Sequence, residues 1–461
     1  MCDMVSGSAL QRVGVPGYAP LAYIYGLRHA GALAAAGGRR QQRFSPGPLD
    51  AIISRMNTEL VLLVLSAVIL VSYSFDIFSS RTKVPSVLLL LVCGLGLKAA
   101  SLWSGWEIPY ISYVLAPLGT VGLILIVLEA GLDLNLTRHT LPVMRSALVS
   151  AVSSLLLCMS AIALFYWGLF GVSFRSALVN ALPFAIVSSA IAIPGSRLLG
   201  RERSEFVTYE SSFSDILGIL LFNLLVFRDH FGFFTFVSFG AEILSTLVLS
   251  VLFSLALALL IAKISHPVKH LPVFAILLLV YAAAKAVHFS PLILVLVFGL
   301  FLNNITLVVR GNMRKYFELG KLQDEIRQFR SVIYEGTFVI KTFFFVLLGY
   351  SADLPRLLSG EALAVFLPVL LIAYASRALP LRLMLPAADA AALTYVAPRG
   401  LITILLFMGI PPQMRIVLLP GSVLLWVVLG TSLVMAWGVM KHAVPGGAAF
   451  LHPLPSTLPQ K

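Results

Sequence analysis

Long apolar runs separated by short polar connections extend from residue 59 to residue 440. A membrane-spanning helix needs about 20 mostly apolar residues in succession, so each long run is a candidate span. We count thirteen candidates: 59–78, 84–98, 112–134, 147–171, 177–196, 207–227, 240–263, 271–288, 291–309, 332–350, 362–381, 387–408 and 416–440. Several contain Gly or Pro, which membrane helices tolerate. The pattern predicts an all-α polytopic membrane protein.

The composition agrees with that pattern. Of the 461 residues, 59% are hydrophobic and 11% are charged, and the mean hydropathy is +0.96, whereas roughly a quarter of a soluble domain is charged. The three cysteines form no CxxC or Cys/His spacing, which argues against a disulfide framework and a metal site. Neither HExxH nor GxSxG occurs, so we expect no enzyme activity and no cofactor.

The net charge of +13 is explained by where the basic residues fall. If the connection between the first two spans is cytoplasmic and the others alternate, the inner connections hold sixteen Lys and Arg residues and the outer ones five. Cytoplasmic loops are enriched in basic residues. The bias predicts an outer N-terminus and a cytoplasmic C-terminus, and it makes a nucleic-acid partner unnecessary.

Three segments differ from the spans in composition. Residues 1–55 are rich in Gly, Ala, Pro and Arg, and Met56 opens a natural first span, so we expect 1–55 to be a disordered tail or an over-extended start. Residues 310–331 alternate apolar and charged positions, which predicts a cytoplasmic amphipathic linker helix. We expect 56–442 to be the membrane domain and 443–461 a short cytoplasmic tail.

Charged side chains in mid-membrane are costly, by about 3 to over 10 kcal/mol, and persist when they are paired or line a hydrated path. The deep ones are Glu210, Asp215, Glu335, Lys341, Arg377 and Arg399. A passive helix bundle needs fewer, so this number indicates transport.

The stretch YESSFSDILG carries Glu210 and Asp215 within the sixth span. Five residues place the two carboxylates about 140° apart around a helix, so they cannot easily share a partner. Ser211 shares a face with Asp215, and Ser214 shares a face with Glu210. This division favours a structural ion pair at Glu210 and a hydrated transport site at Asp215; the alternative is that both carboxylates are paired and inert.

Arg377, in the middle of the eleventh span, needs an anion because arginine stays protonated. Glu210 is its best partner by depth. Lys341 also lies mid-span and could contact a carboxylate of another span, but the sequence does not identify which. Glu129 and Asp133, near the end of the third span, fit a solvated position.

Two spans contain helix-breaking residues at corresponding positions. The fifth includes VSSAIAIPGS with Pro194 and Gly195, and the twelfth includes YVAPRGLITI with Pro398 and Gly400. If spans one to six and eight to thirteen are two inverted repeats, these are the fifth span of each. Matched interrupted helices indicate a binding site at the membrane midplane, where Arg399 would temper the helix dipoles or pair with an acid.

Five segments together resemble the bacterial branch of the sodium/hydrogen exchanger (monovalent cation:proton antiporter) family over about residues 56–442. The segments are RTKVPSVLLLLVCGLGL, LEAGLDLNL, YESSFSDILG, FFFVLLGYS and APRGLITI. The resemblance implies two inverted repeats with discontinuous helices crossing at the midplane, a homodimer, and a multi-pass protein of the bacterial plasma membrane.

The resemblance also assigns roles to residues. It implies that Asp215 binds cation and proton in turn, that Ser211 and Ser214 belong to the ion-site motif, and that Glu210 pairs with Arg377. The unwound part of the fifth span falls on Ser188 and Ser189. Two departures weaken cation coordination: the Asn of the family motif is Ser214 here, and Ser188-Ser189-Ala190 replaces Thr-Asp-Pro, which removes a second carboxylate.

The sequence therefore predicts exchange of Na⁺ or K⁺ for protons, with competition at Asp215. Electrogenic relatives carry two adjacent acids and a lysine in place of the arginine, so the resemblance implies that a single acid together with Arg377 favours electroneutral exchange. A cation channel or uniporter on the same scaffold remains an alternative, as does a symporter of organic anions, against which Asp215 argues.

Overall fold

The structure is a computed structural model that describes residues 58–82, 85–104, 111–134, 136, 140–228, 232–263, 270–286, 291–308, 319–357 and 359–444. The chain divides into two units between Leu63 and Val64. The second unit holds nearly all of the described residues. The predictions made for residues 1–55, and for the tail after residue 444, lie outside them.

All regular secondary structure within these ranges is helical. The α-helices are α1 (Thr58–Thr82), α2 (Ser86–Ser104), α3 (Ile111–Asp133), α4 (Leu141–Phe170), α5 (Phe174–Ala185), α6 (Ser189–Ser196), α7 (Arg201–Phe227), α8 (Phe233–Lys263), α9 (His270–Ala286), α10 (Pro291–Asn303), α11 (Ile305–Val308), α12 (Leu319–Tyr350), α13 (Leu354–Leu357), α14 (Gly360–Met384), α15 (Ala387–Thr394), α16 (Leu401–Met408) and α17 (Ser422–His442). A short 3₁₀ helix, Arg197–Leu199, joins α6 to α7.

Eight segments of the described chain are long and apolar enough to cross a membrane. They are Ser86–Trp103, Leu141–Phe170, Phe174–Leu199, Arg201–Phe227, Val237–Ile261, Leu322–Tyr350, Gly360–Met384 and Ser422–His442. Shorter apolar helices lie at Leu65–Ser79, His270–Ala286 and Pro291–Asn303. The all-α polytopic fold predicted from the sequence is confirmed, and the count of thirteen spans stays a prediction.

The predicted linker helix does not end before the tenth span. Instead α12 runs without interruption from Leu319 to Tyr350, and residues 310–318 lie outside the described ranges. Leu322, Phe329 and Ile333 are buried on this helix, so the apolar stripe of the charged stretch continues into the span. No Gly or Pro separates the two parts between residues 321 and 335, so nothing in the sequence ends the helix.

The helices pack as two groups. One group, the scaffold bundle, contains α2, α3, α8, α9, α10 and α12, and the other, the core bundle, contains α4 to α7 and α14 to α17. Contacts between the groups are sparse and occur mainly where α16 lies against α3 and α17 against α2. The core bundle is thus built from the fourth to sixth and the eleventh to thirteenth predicted spans.

Two glycine pairs bring scaffold helices into backbone contact. A Cβ on Gly94 of α2 would lie 2.9 Å from the Cα of Gly349 on α12, and a Cβ on Gly131 of α3 would lie 3.1 Å from the Cα of Gly299 on α10. These contacts join the second span to the tenth and the third to the ninth. Such reciprocal pairing is what two inverted repeats would produce; the repeat itself remains a prediction.

Two spans are interrupted, as expected from the sequence. The first interruption lies at residues 186–188 between α5 and α6, and the second at residues 395–400 between α15 and α16. Pro194 and Gly195 were expected to cause the first, but both lie inside α6. Pro183 precedes the break within α5, and Ile186 and Ser188 have extended backbone angles.

Candidate functional site

The two interruptions touch each other. The backbone N–H of Ser188 donates a hydrogen bond to the carbonyl of Pro398 at 2.9 Å. Gly400 packs so closely on Ser188 that a Cβ at position 400 would lie 2.5 Å from the Ser188 Oγ. The extended segments of the fifth and twelfth predicted spans therefore cross at Ser188.

Asp215 lies beside this crossing, on α7. Its side chain is buried, and Oδ2 accepts a hydrogen bond from the backbone N–H of Ser189 at 3.1 Å. Ser189 opens α6, and the N-terminus of a helix favours negative charge. The other oxygen, Oδ1, has no hydrogen-bond donor among the described residues, and Asp215 forms no ion pair with them. The carboxylate is thus held at one oxygen, while the other oxygen is buried without a hydrogen-bond donor in the described chain.

The serines predicted to bind the cation have different partners. The buried hydroxyl of Ser188 has no hydrogen-bond partner in the described part of the chain. Ser214 Oγ accepts from the Val187 N–H at 2.9 Å, which holds the first interruption against α7. Ser211 Oγ donates to the Val207 carbonyl one turn earlier, at 2.7 Å. The structure therefore brings Ser188, Ser189 and Ser214 to the crossing and directs the Ser211 hydroxyl into its own helix.

Glu210 is fully engaged. Arg377 Nη2 lies 2.6 Å from Glu210 Oε2 and Nη1 lies 2.9 Å from Oε1, so the contact is bidentate. Ser150 on α4 donates to Oε1 at 2.6 Å. Arg377 also donates through Nε to the Leu393 carbonyl at 3.0 Å. A buried ion pair needs such additional hydrogen bonds to offset the loss of hydration, and this cluster ties together α4, α7, α14 and α15.

Arg399 lies at the second interruption and contacts carbonyl groups instead of an acid. Its guanidinium donates to Phe184 O at 2.7 Å, to Ala397 O at 2.6 Å and to Ala185 O at 3.4 Å. Phe184 and Ala185 form the C-terminal end of α5, where helix carbonyls lack intrahelical donors. Of the two roles expected for Arg399, these contacts match tempering of the helix dipole.

Lys341 has an acidic partner across the scaffold bundle. Its Nζ lies 3.7 Å from Glu129 Oε2, and both side chains are partly exposed. Asp133, one turn further along α3, accepts a hydrogen bond from Tyr334. Glu129 was expected to be solvated; its side chain is partly exposed, and Lys341 gives it a partner that the sequence did not identify. Glu335 is exposed.

Two cavities lie on either side of the crossing. The first, which we call the Ser189 cavity, has a volume of about 290 Å³ and includes Ser189, Glu129 and Lys341 in its wall. The second, the Phe222 cavity, has about 730 Å³ and begins at Ile219, one helical turn beyond Asp215. They contact opposite halves of α3, and each includes a residue next to Asp215 in its wall, Ser189 in the first and Ile219 in the second, although Asp215 itself lines neither.

Some contacts at the site could not be read from the sequence. Ser150 is one of several serines in α4, and only the fold selects it as a donor to Glu210. Thr403 on α16 is buried with a hydroxyl that has no partner in the described residues. Thr431 Oγ1 accepts from the backbone N–H of Arg399 at 2.9 Å. A single serine or threonine in an apolar span gives no sequence pattern from which its hydrogen-bond partner could be predicted.

Comparison with known proteins agrees with this geometry. The sequence profile described as "Sodium/hydrogen exchanger, transmembrane" matches residues 64–440. The chain belongs to the sodium/hydrogen exchanger family. Members of this family are transporters and not enzymes, and the activity that membership supports is cation:proton antiport across a membrane.

Two solved structures of one antiporter have a similar fold. A structure of the sodium proton antiporter MjNhaP1 from Methanocaldococcus jannaschii at pH 8 matches with a TM-score of 0.64 and 17% identity, covering 84% of this chain and 99% of that one. An electron-microscopy map of the same antiporter gives a TM-score of 0.61 and 16% identity, covering 88% and 100%. Comparison with curated protein sequences finds no match. At such identities these likenesses show the fold alone.

Proposed function

We propose that this exchanger moves a monovalent cation, Na⁺ or K⁺, against protons by alternating access, and that both ions compete for Asp215. The observation that carries the proposal is the state of the two carboxylates on α7. Glu210 is neutralised by Arg377, whereas Asp215 is buried beside the crossing with one oxygen unpaired in the described chain.

Competition follows from having one carboxylate. A bound proton removes the negative charge that attracts a cation, and a bound cation repels the proton. Ser188, Ser189 and Ser214 lie at the crossing beside Asp215, and we expect their hydroxyl oxygens to complete the coordination of the cation when the site rearranges. Because the site has one charged ligand, we expect it to bind the cation weakly enough to release it on each side of the membrane.

Alternating access is supported by the two cavities and the two bundles. The Ser189 cavity reaches the residue whose amide binds Asp215, and the Phe222 cavity ends one turn away from it. Because the core bundle has sparse contacts with the scaffold bundle, it can rock as a unit and expose the carboxylate to each cavity in turn.

Electroneutral exchange follows from the same charges. The Glu210–Arg377 pair keeps its charge of zero throughout the cycle because arginine does not deprotonate. Asp215 alone changes partner, so one cation replaces one proton. We further propose a homodimer in a bacterial plasma membrane, with the N-terminus outside and the Ser189 cavity facing the cytoplasm.

The decisive experiment measures proton efflux from everted membrane vesicles after addition of Na⁺ or K⁺. Wild-type protein should dissipate an imposed pH gradient, and Asp215→Asn should reduce the rate at least about 100-fold, because the amide cannot carry the exchanged charge. Asp389→Asn is the matched control: Asp389 pairs with Arg203 at a partly exposed position, at 2.8 Å, and the rate should stay near wild type.

A second measurement separates exchange from a channel. With the membrane potential held at zero, a pH gradient should accumulate radioactive Na⁺ or K⁺ above its external concentration. Passive equilibration without accumulation would favour the channel, and unchanged exchange in Asp215→Asn would remove this residue from its proposed role. A solid-supported membrane should record no net current during turnover if the exchange is electroneutral.

A further inference from the structure

The Ser189 cavity holds an ammonium group on the route to Asp215. Lys341 extends from α12 into this cavity, whose wall also includes Ser189. Ser189 in turn binds Asp215 through its backbone N–H. Given the proposed function, a cation that enters from this side passes the charge of Lys341 before it reaches the carboxylate.

Glu129 offsets the positive charge of Lys341 without holding the ammonium group tightly. The Lys341 Nζ and Glu129 Oε2 are 3.7 Å apart, which is an ion-pair distance but too long for a hydrogen bond. The side chains remain 23% and 27% exposed, so water reaches both. The pair can open while an ion passes, unlike the bidentate Glu210–Arg377 pair.

Other charged groups face the same cavity. Its wall contains three carboxylates, Asp76, Glu129 and Asp133, and two cations, Arg197 and Lys341. Asp133 is held by the hydroxyl of Tyr334. The Glu129–Lys341 pair is the ion pair that the structure records between these groups, so changing either member alone changes the local charge by one unit.

We propose that Lys341 and Glu129 form a charge filter that sets the apparent affinity of the exchanger for cations entering through the Ser189 cavity. The Lys341 ammonium occupies Glu129 in place of the transported cation, so the carboxylate does not trap the ion before it reaches Asp215. Glu129 in turn prevents the ammonium from repelling the ion. This inference rests on the proposed cation exchange and adds two residues that determine its affinity.

The filter predicts opposite effects of the two single neutral variants. Lys341→Gln leaves Glu129 free to attract cations, so the KM for Na⁺ or K⁺ in everted vesicles should fall about fivefold. Glu129→Gln leaves an unbalanced ammonium, so the KM should rise about fivefold. The maximal rate should change less than twofold in both, because Asp215 is untouched.

Three further variants complete the test. Glu129→Gln combined with Lys341→Gln should restore a KM near wild type, and Lys341→Arg should leave it unchanged because the charge is kept. Lys441→Gln is a matched control, because Lys441 lies against Trp437 and Tyr395 outside the cavity. Thermal unfolding in detergent should establish that all variants fold.

The outcomes separate this proposal from the proposed function. If the wild type exchanges ions but both single variants shift KM in the same direction, or neither shifts it, Lys341 and Glu129 have a structural role and the filter is wrong. If the wild type catalyses no cation-dependent proton efflux, the proposed function itself fails.

Discussion

Glu210 and Asp215 lie five residues apart on one helix and have opposite surroundings. Glu210 receives two hydrogen bonds from Arg377 and one from Ser150. Asp215 receives a backbone hydrogen bond from Ser189 and keeps one oxygen without a donor in the described chain. One helix thus carries a carboxylate held in an ion pair and a carboxylate with an oxygen that has no donor in the described chain, since their angular separation directs them to different neighbours.

The largest expected effect comes from breaking the ion pair between Glu210 and Arg377. Glu210→Gln leaves Arg377 buried without a counter-charge and should lower the free energy of unfolding by about 3–5 kcal/mol. Asp215→Asn should leave it unchanged or raise it, because the amide oxygen still accepts from Ser189. Thermal unfolding of purified protein measures both. Equal losses of stability in the two variants would contradict the division of roles.

A control distinguishes lost charge balance from lost packing. Adding Arg377→Gln to Glu210→Gln removes both charges, and part of the lost stability should return. If the double variant is less stable than the single one, the cost arises from packing of the arginine stem.

The second-largest effect is expected from a substitution at the crossing of the two interrupted spans, beside Asp215. In Gly400→Ala the new Cβ would lie 2.5 Å from the Ser188 Oγ and 2.9 Å from its Cβ, so the two interruptions must separate. Overpacking of this kind costs about 1–3 kcal/mol, and the KM for the cation should rise. Gly360→Ala is the control because a Cβ there meets no atom within 4 Å; equal KM values in the two variants would count against cation binding at the crossing.

The third effect tests how firmly Glu210 is held. Ser150→Ala removes a hydrogen bond to a charged group, which is worth about 1.5–3 kcal/mol, while leaving Arg377 in place. We expect the free energy of unfolding to fall by an amount near the lower of these two figures, and the KM for the cation to change little. Ser153→Ala on the same helix is matched, because its hydroxyl donates only to backbone carbonyls of α4.

The smallest effect concerns Ser211, which the sequence assigned to the Asp215 site. Its hydroxyl donates to Val207 O within α7, and a serine bond of this kind contributes little to helix stability. Ser211→Ala should change stability by less than about 0.5 kcal/mol and leave the KM unchanged. A large rise in KM would show that Ser211 turns towards the cation during transport.

Much of this arrangement could be predicted from the sequence because the membrane restricts the choices. An arginine in the middle of a span requires an anion at a similar depth. This requirement predicted Glu210 as the partner of Arg377, and the two side chains form an ion pair in the structure. Matched Pro and Gly residues located both interrupted spans, although the first break begins at Ile186, ahead of Pro194. Hydropathy and local chemistry were sufficient for these features.

The remaining contacts depend on how distant helices face one another. Glu129 and Lys341 are separated by more than 200 residues, and periodicity gives the face of each helix without naming the helix opposite. Ser150 resembles the other serines of α4 in every local respect. The linker helix and the tenth span were predicted as two separate elements, whereas α12 joins them without interruption from Leu319 to Tyr350.

The glycine contacts of the scaffold bundle have a mechanical consequence. At Gly94 with Gly349 and at Gly131 with Gly299, main chain rests on main chain, so no layer of side chains is present that could shear. If the proposed rocking of the core bundle occurs, we expect the displacement at the contact between α16 and α3, which joins the two bundles. There the Leu405 side chain packs on Gly119, so the contact between the two bundles consists of a side chain on a helix surface, in contrast to the backbone contacts within the scaffold bundle.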